Sequence, residues 1–152
     1  MLDSSVYGAA IEDEERYSPD SERFWDIIYS KALFRLREKI GFHGCLPIES
    51  ELKEAPQVFR RKLLEKFSVA KKLEENELVV LLFNEYVKAG IYPPDALILS
   101  YTSAHQVDAL ITINRRHLKA PETARVLKRV NRKFRLKTPL ILLPRELFEF
   151  IV

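Results

Sequence analysis

A single cysteine, Cys45, stands in a chain of 152 residues. That excludes an internal disulfide and a cysteine-rich zinc site, and it suits a reducing compartment. Glycine is scarce at four residues and proline numbers eight, so neither a flexible linker nor a collagen-like repeat is present. No apolar run approaches the ~20 residues of a membrane-spanning helix. The first residues lack a basic segment followed by a long apolar stretch, and acids come early at Asp3 and from Glu12 to Glu15, so no secretory signal is expected. The three histidines, His43, His105 and His117, are scattered without the spacing of a metal triad. No internal repeat or low-complexity segment is visible. The expectation is a soluble, cytoplasmic chain with no membrane partner.

Hydrophobic residues make up 47% and charged residues 31%, the balance of a globular protein. The length fits one domain over 1–152, able to bury roughly 69% of the surface of its unfolded chain. Net charge is only +3, yet it is unevenly placed. Residues 1–114 hold 14 Lys/Arg against 19 Asp/Glu, whereas residues 115–137 hold 10 Lys/Arg and the one acid Glu122. A basic block behind an acidic body suggests a surface that meets polyanions; a solvated helix face is the alternative.

Hydrophobic spacing predicts alternating strands and helices. Met1-Leu2 reads as a brief strand ending at Asp3, and Glu12 to Arg16 as an exposed loop. Ser18-Pro19 is an N-cap and first position for a helix with Phe24, Trp25, Ile28, Ala32, Leu36 and Ile40 inward, stopped by Gly41. Leu46 to Ile48 reads as a short strand, followed by a helix from Glu49 that carries Glu51 and Leu52. Pro56 opens a helix with Val58, Phe59, Leu63 and Phe67 inward. Leu78 to Val87 is a buried helix, with some strand character, ended by Gly90. Pro93-Pro94-Asp95 starts another helix. Val107 to Asn114 is the strongest strand, Pro121 opens a basic helix with Val126 and Val130 inward, and Thr138 to Leu143 is a last strand before a short tail, Phe148 to Val152. This order argues for an α/β layered fold with a mostly parallel sheet, in which ligands bind beyond the carboxyl ends of the strands.

Four polar residues fall at revealing places. Asp3 follows the first strand, Asp95 opens a helix, Asn114 ends the strongest strand, and Glu51 sits on a short helix among apolar neighbours. Clustered carboxylates repel one another unless a cation lies between them, and hard oxygen ligands suit Mg²⁺ or Mn²⁺. Spacing alone equally allows an Asp that caps a helix or ends a strand in a turn. Asp108 reads as a turn residue, Cys45 as a small buried hydrophobe, and Trp25 and the phenylalanines as core rather than base-stacking platforms.

Five segments, in order, resemble PIN-domain ribonucleases: Met1-Leu2-Asp3-Ser4-Ser5-Val6, Ile48-Glu49-Ser50-Glu51-Leu52, Pro94-Asp95-Ala96-Leu97-Ile98-Leu99, the stretch from Val107 through Thr112-Ile113-Asn114-Arg115-Arg116-His117-Leu118, and Pro139 to Leu147. The size is similar to that of VapC-like toxins of type II toxin–antitoxin pairs. The resemblance implies a three-layer sandwich with a central, mostly parallel sheet flanked by helices, and a Mg²⁺- or Mn²⁺-dependent endoribonuclease. It implies Asp3 and Asp95 as direct or water-mediated metal ligands, and Glu51 as the third acid, orienting the attacking water. Asn114 stands where many members have Asp, which leaves one or two metals open. Ser5 and Thr112 would be hydrogen-bonding supports. Arg115, Arg116, His117 and Lys119 would meet RNA. Glu49 rivals Glu51, because two residues' spacing on a helix points them to different faces. An antitoxin protein and a homodimer are the partners implied beside RNA. The alternative is a catalytically degenerate PIN-like module that binds RNA or a protein through its basic 115–137 segment.

Overall fold

The computed structural model describes residues 1–151; Val152, the end of the expected tail, lies outside them. Helices dominate. They run α1 (Ser4–Ala10), α2 (Glu22–Phe34), α3 (Leu46–Lys53), α4 (Gln57–Phe67), α5 (Glu77–Lys88), α6 (Pro93–Ala104), α7 (Pro121–Lys133) and α8 (Pro144–Ile151), with a 3-10 turn at Glu14–Arg16. The strands are β1 (His43–Cys45), β2 (Lys71–Leu73), β3 (Ala109–Ile111) and β4 (Leu140–Leu142). β1 pairs with β2 and β3 with β4, both parallel, and Leu2 bridges Ile111 in the same sense. The chain is therefore α/β with parallel strand pairing, in short pieces.

One apolar cluster underlies these elements. Leu2, Val6, Tyr7, Leu33, Cys45, Ile48, Leu82, Tyr86, Ile98, Leu99, Leu110 and Leu127 are all buried within it or at its edge. Burial pushes the Cys45 thiol up to about 11, which leaves it protonated and inert at neutral pH. Asp108 lies exposed and paired with Lys137, in line with a turn role.

Several boundaries differ from the sequence reading, each for a local reason. Residues 4–10 are helical, a segment too short to show a full apolar period. Glu14–Arg16 forms a 3-10 turn rather than an open loop, with Asp13 accepting from the Glu15 N–H at 3.0 Å. The cap of α2 is Ser21, whose Oγ accepts from the Phe24 N–H at 3.3 Å, whereas Ser18-Pro19 belongs to the turn before it. That helix ends at Phe34, not Ile40. Beyond it the ladder tightens, with Leu36 N–H donating to Leu33 and Lys39 N–H to Leu36, so helical spacing persists without a helix.

The strand placed at Leu46 to Ile48 lies one step earlier, at β1. Leu46 to Ile48 is the first turn of α3, where Pro47 loses nothing by lacking an N–H. In α4, Leu63 and Phe67 face inward as expected, but Val58 and Phe59 are exposed. Trp25 is also exposed, its indole N–H donating to the Pro19 carbonyl at 2.8 Å. On α7, Val130 is buried and Val126 half-buried against the core as expected, with Leu127 buried beside them. β3 and β4 are shorter than the runs that announced them, and the tail after Pro144 is helical. β2 was not foreseen, since Lys71-Lys72-Leu73 carries no strand signal.

Candidate metal and phosphate site

Asp3 leaves the Leu2 bridge just where the chain turns into α1. Its backbone N–H donates to the Ile111 carbonyl at 2.9 Å, which locks it beside the carboxyl end of β3. Its carboxylate, although at the start of α1, caps no helical N–H. Instead Oδ2 accepts from Ser5 Oγ at 2.6 Å and from Thr112 Oγ1 at 2.9 Å. Asp3 is 5% exposed and Thr112 fully buried. Two hydroxyls thus fix one oxygen, and Oδ1 accepts nothing among the described residues.

Asp95 comes from the first turn of α6, where two prolines occupy positions that need no N–H donor. It is 9% exposed, and its carboxylate accepts no hydrogen bond and enters no ion pair among the described residues. Burial and the charge of Asp3 raise its pKa above the usual value, while His117 pulls the other way.

α3 separates its two acids. Glu49 turns outward to Lys53 at 3.0 Å and Lys72 at 3.1 Å. Glu51 turns to the other side, where Ser4 Oγ donates to it. Loss of solvent raises the Glu51 pKa, and the charges of Asp3 and Asp95 raise it further. Of the two rivals, Glu51 is therefore the one that shares electrostatics with the aspartates.

These three acids, with Ser4, Ser5 and Asn114, line one cavity of about 520 Å³ at the carboxyl ends of the parallel strands, floored by Leu52, Leu63 and Ile98. Asn114 reaches it with a prior engagement. Its N–H donates to Thr112 Oγ1 at 2.9 Å and its Oδ1 accepts from the His117 N–H at 3.0 Å, so the side chain closes the turn after β3 while lining the cavity.

The basic turn divides in two. Arg115 makes a two-pronged bond to Asp26 at 2.9 and 2.8 Å, tying the turn to α2, and Lys119 donates to the Ile141 carbonyl at 2.8 Å and pairs with Glu146 at 3.2 Å. Arg116 and His117 are exposed. The His117 ring lies 6.3 Å from that of Tyr92. Sequence reasoning missed Ser4 and Tyr92; the first becomes visible only once residues 4–10 are known to be helical.

Among the described residues, no group of three or more His, Cys, Asp or Glu is gathered closely enough to hold an ion by direct ligation alone. The acids offer oxygen ligands, Asp95 lacks any partner among the described residues, Oδ1 of Asp3 is likewise free among them, and the cavity admits water. That set fits a hydrated divalent ion of the Mg²⁺ type, which keeps several of its waters. No family model, no curated protein and no solved structure matches the chain. No helix among the described residues is long and apolar enough to cross a membrane.

Proposed function

We propose that the chain is a PIN-like endoribonuclease that hydrolyses RNA phosphodiester bonds with Mg²⁺ or Mn²⁺. The observation that carries this reading is the cavity of three carboxylates, none of them paired to a cationic side chain among the described residues and one held in place by two hydroxyls. Mutual repulsion of that kind is costly unless a cation offsets it. Asp3 and Asp95 would hold the ion, largely through water, and Glu51 would stand at the rim. Such an ion, when bound, supplies an acidic water and neutralises charge on a phosphodiester.

The chain's own groups divide the remaining work. Ser5 and Thr112 hold Oδ2 of Asp3, leaving its Oδ1 without a protein partner among the described residues. Glu51, with its raised pKa, is suited to accept a proton from an attacking water. Arg116 and His117 stand beside the turn to receive a phosphate. Asn114 shapes that turn and leaves the site one charge short of four acids, which favours a single ion. The two small parallel sheets are read as parts of the central sheet of a three-layer sandwich. A cytoplasmic toxin held silent by an antitoxin, and acting as a homodimer, is the biological setting this reading implies.

A non-catalytic RNA-binding module is the second reading, and the engagement of Asn114 in its turn favours it. Cleavage of a panel of structured and single-stranded RNAs, with Mg²⁺, Mn²⁺ or EDTA, separates the two. Metal-dependent cutting that falls more than about 100-fold in Asp3→Asn and in Asp95→Asn is expected, beyond the 10–100-fold typical of losing a supporting residue. Equal cutting by both folded variants would refute the nuclease reading.

A further inference from the structure

Gly8 lies inside α1, where glycine is the poorest residue short of proline. Its backbone is not in the left-handed region, and a Cβ built on it would meet no atom within 4 Å. Neither conformation nor packing accounts for glycine there. Its position does: Gly8, Ala55 and Leu63 wall both the acidic cavity and a second cavity of about 580 Å³ between α1, the 3-10 turn and α4. The two cavities share these three residues as a common wall.

The second cavity has its own chemistry. Tyr17 and Phe59 present exposed rings to it. Its two acids are occupied, Glu12 by Arg23 and the Tyr17 hydroxyl, Asp13 by the Glu15 N–H. Its two cations, Arg16 and Lys62, enter no ion pair and no side-chain hydrogen bond among the described residues. Aromatic faces beside unpaired cations are what a single strand of nucleic acid uses, with bases stacked and phosphates neutralised.

We propose that this groove is a nucleotide subsite for single-stranded RNA entering the acidic cavity, with a base on Phe59 and Tyr17, a phosphate at Arg16 and Lys62, and the strand passing over Gly8. The proposal rests on the ribonuclease reading and gives its substrate a direction and a strandedness. Gly8 is the open stretch of wall over which the backbone would reach Asp3.

Anisotropy of a fluorescein-labelled single-stranded oligoribonucleotide in EDTA tests the groove, and cleavage of the same oligonucleotide with Mn²⁺ tests the site. The full chain is compared with Phe59→Ser, Arg16→Ser/Lys62→Ser and Gly8→Leu, each checked for an unchanged thermal melt. Arg61→Ser, whose arginine is bonded to Glu65 on the outer side of α4, serves as control. Each groove variant is expected to weaken binding about tenfold, the double variant also flattening the salt dependence, while the control binds as wild type does. Weakened binding with no cutting under any metal would keep the groove and remove the nuclease reading. Cutting and binding indifferent to all three variants would keep the nuclease and remove the groove. No RNA affinity in the wild type would overturn the groove as well, and return its surface to a protein partner.

Discussion

α6 carries a polar cluster at each end, and the two are built on opposite plans. Near its C-terminus, Ser103 is fully buried with Tyr86 and Asn131. The Tyr86 hydroxyl donates to Asn131 Oδ1 and accepts from the Ser103 hydroxyl at 3.0 Å, and Asn131 Nδ2 donates to Ser103 Oγ at 2.9 Å and to the Lys137 carbonyl at 3.2 Å. Every one of those side chains is answered from within the protein. At its N-terminus Asp95 has no hydrogen-bond or ion-pair partner among the described residues, and burial and the charge of Asp3 raise the cost of its own charge. A network that closes on itself holds α5, α6 and α7 together; the other leaves a carboxylate unanswered, which is what the proposed cation site requires.

The closed cluster should give the largest effect. Asn131→Ala removes three side-chain hydrogen bonds at once and leaves a buried hole. A loss of about 2–4 kcal/mol is expected, read from urea unfolding, with the rate per folded molecule unchanged. A loss below 0.5 kcal/mol, within the ordinary range of surface changes, would break the contrast from its structural side.

The open cluster should respond in the opposite direction and by less. Asp95 has a folded pKa above its ordinary value, so its carboxyl favours the folded state when protonated. That contribution is complete below the ordinary carboxylate range and is lost as pH rises through the folded value. Without metal, Asp95→Asn should therefore melt slightly above the wild type at pH 7, and the gap should shrink on acidification toward pH 4. A variant that melts lower at pH 7 would mean that Asp95 is a structural cap after all.

What the amino-acid order showed was chiefly at proline-marked starts and long apolar runs. Pro93-Pro94, Pro121 and the run of Leu78 to Val87 placed α6, α7 and α5, because a missing N–H and a sustained period are local properties. Ser18-Pro19 misled for the same reason: both it and Ser21 are credible caps, and only the packing of α2 chooses between them. Val58 and Phe59 could not be seen to face outward, since period alone does not say what lies opposite a helix. The acids of the cavity were found by their neighbours in the chain, but their common setting depends on the Asp3–Thr112 contact, which spans 109 positions. The basic block was visible as charge and not as availability: Arg115 and Lys119 are spent on Asp26 and Glu146, while Arg116 is not.

The most direct measurement is calorimetric titration of Mn²⁺ into the metal-free chain and into Asp95→Asn at pH 7. One saturable ion per chain, lost or greatly weakened in the variant and accompanied by a higher melting temperature of the wild type, is the predicted result. No saturable binding to the wild type, or equal binding to both, would contradict the claim that the open end of α6 is completed by a cation.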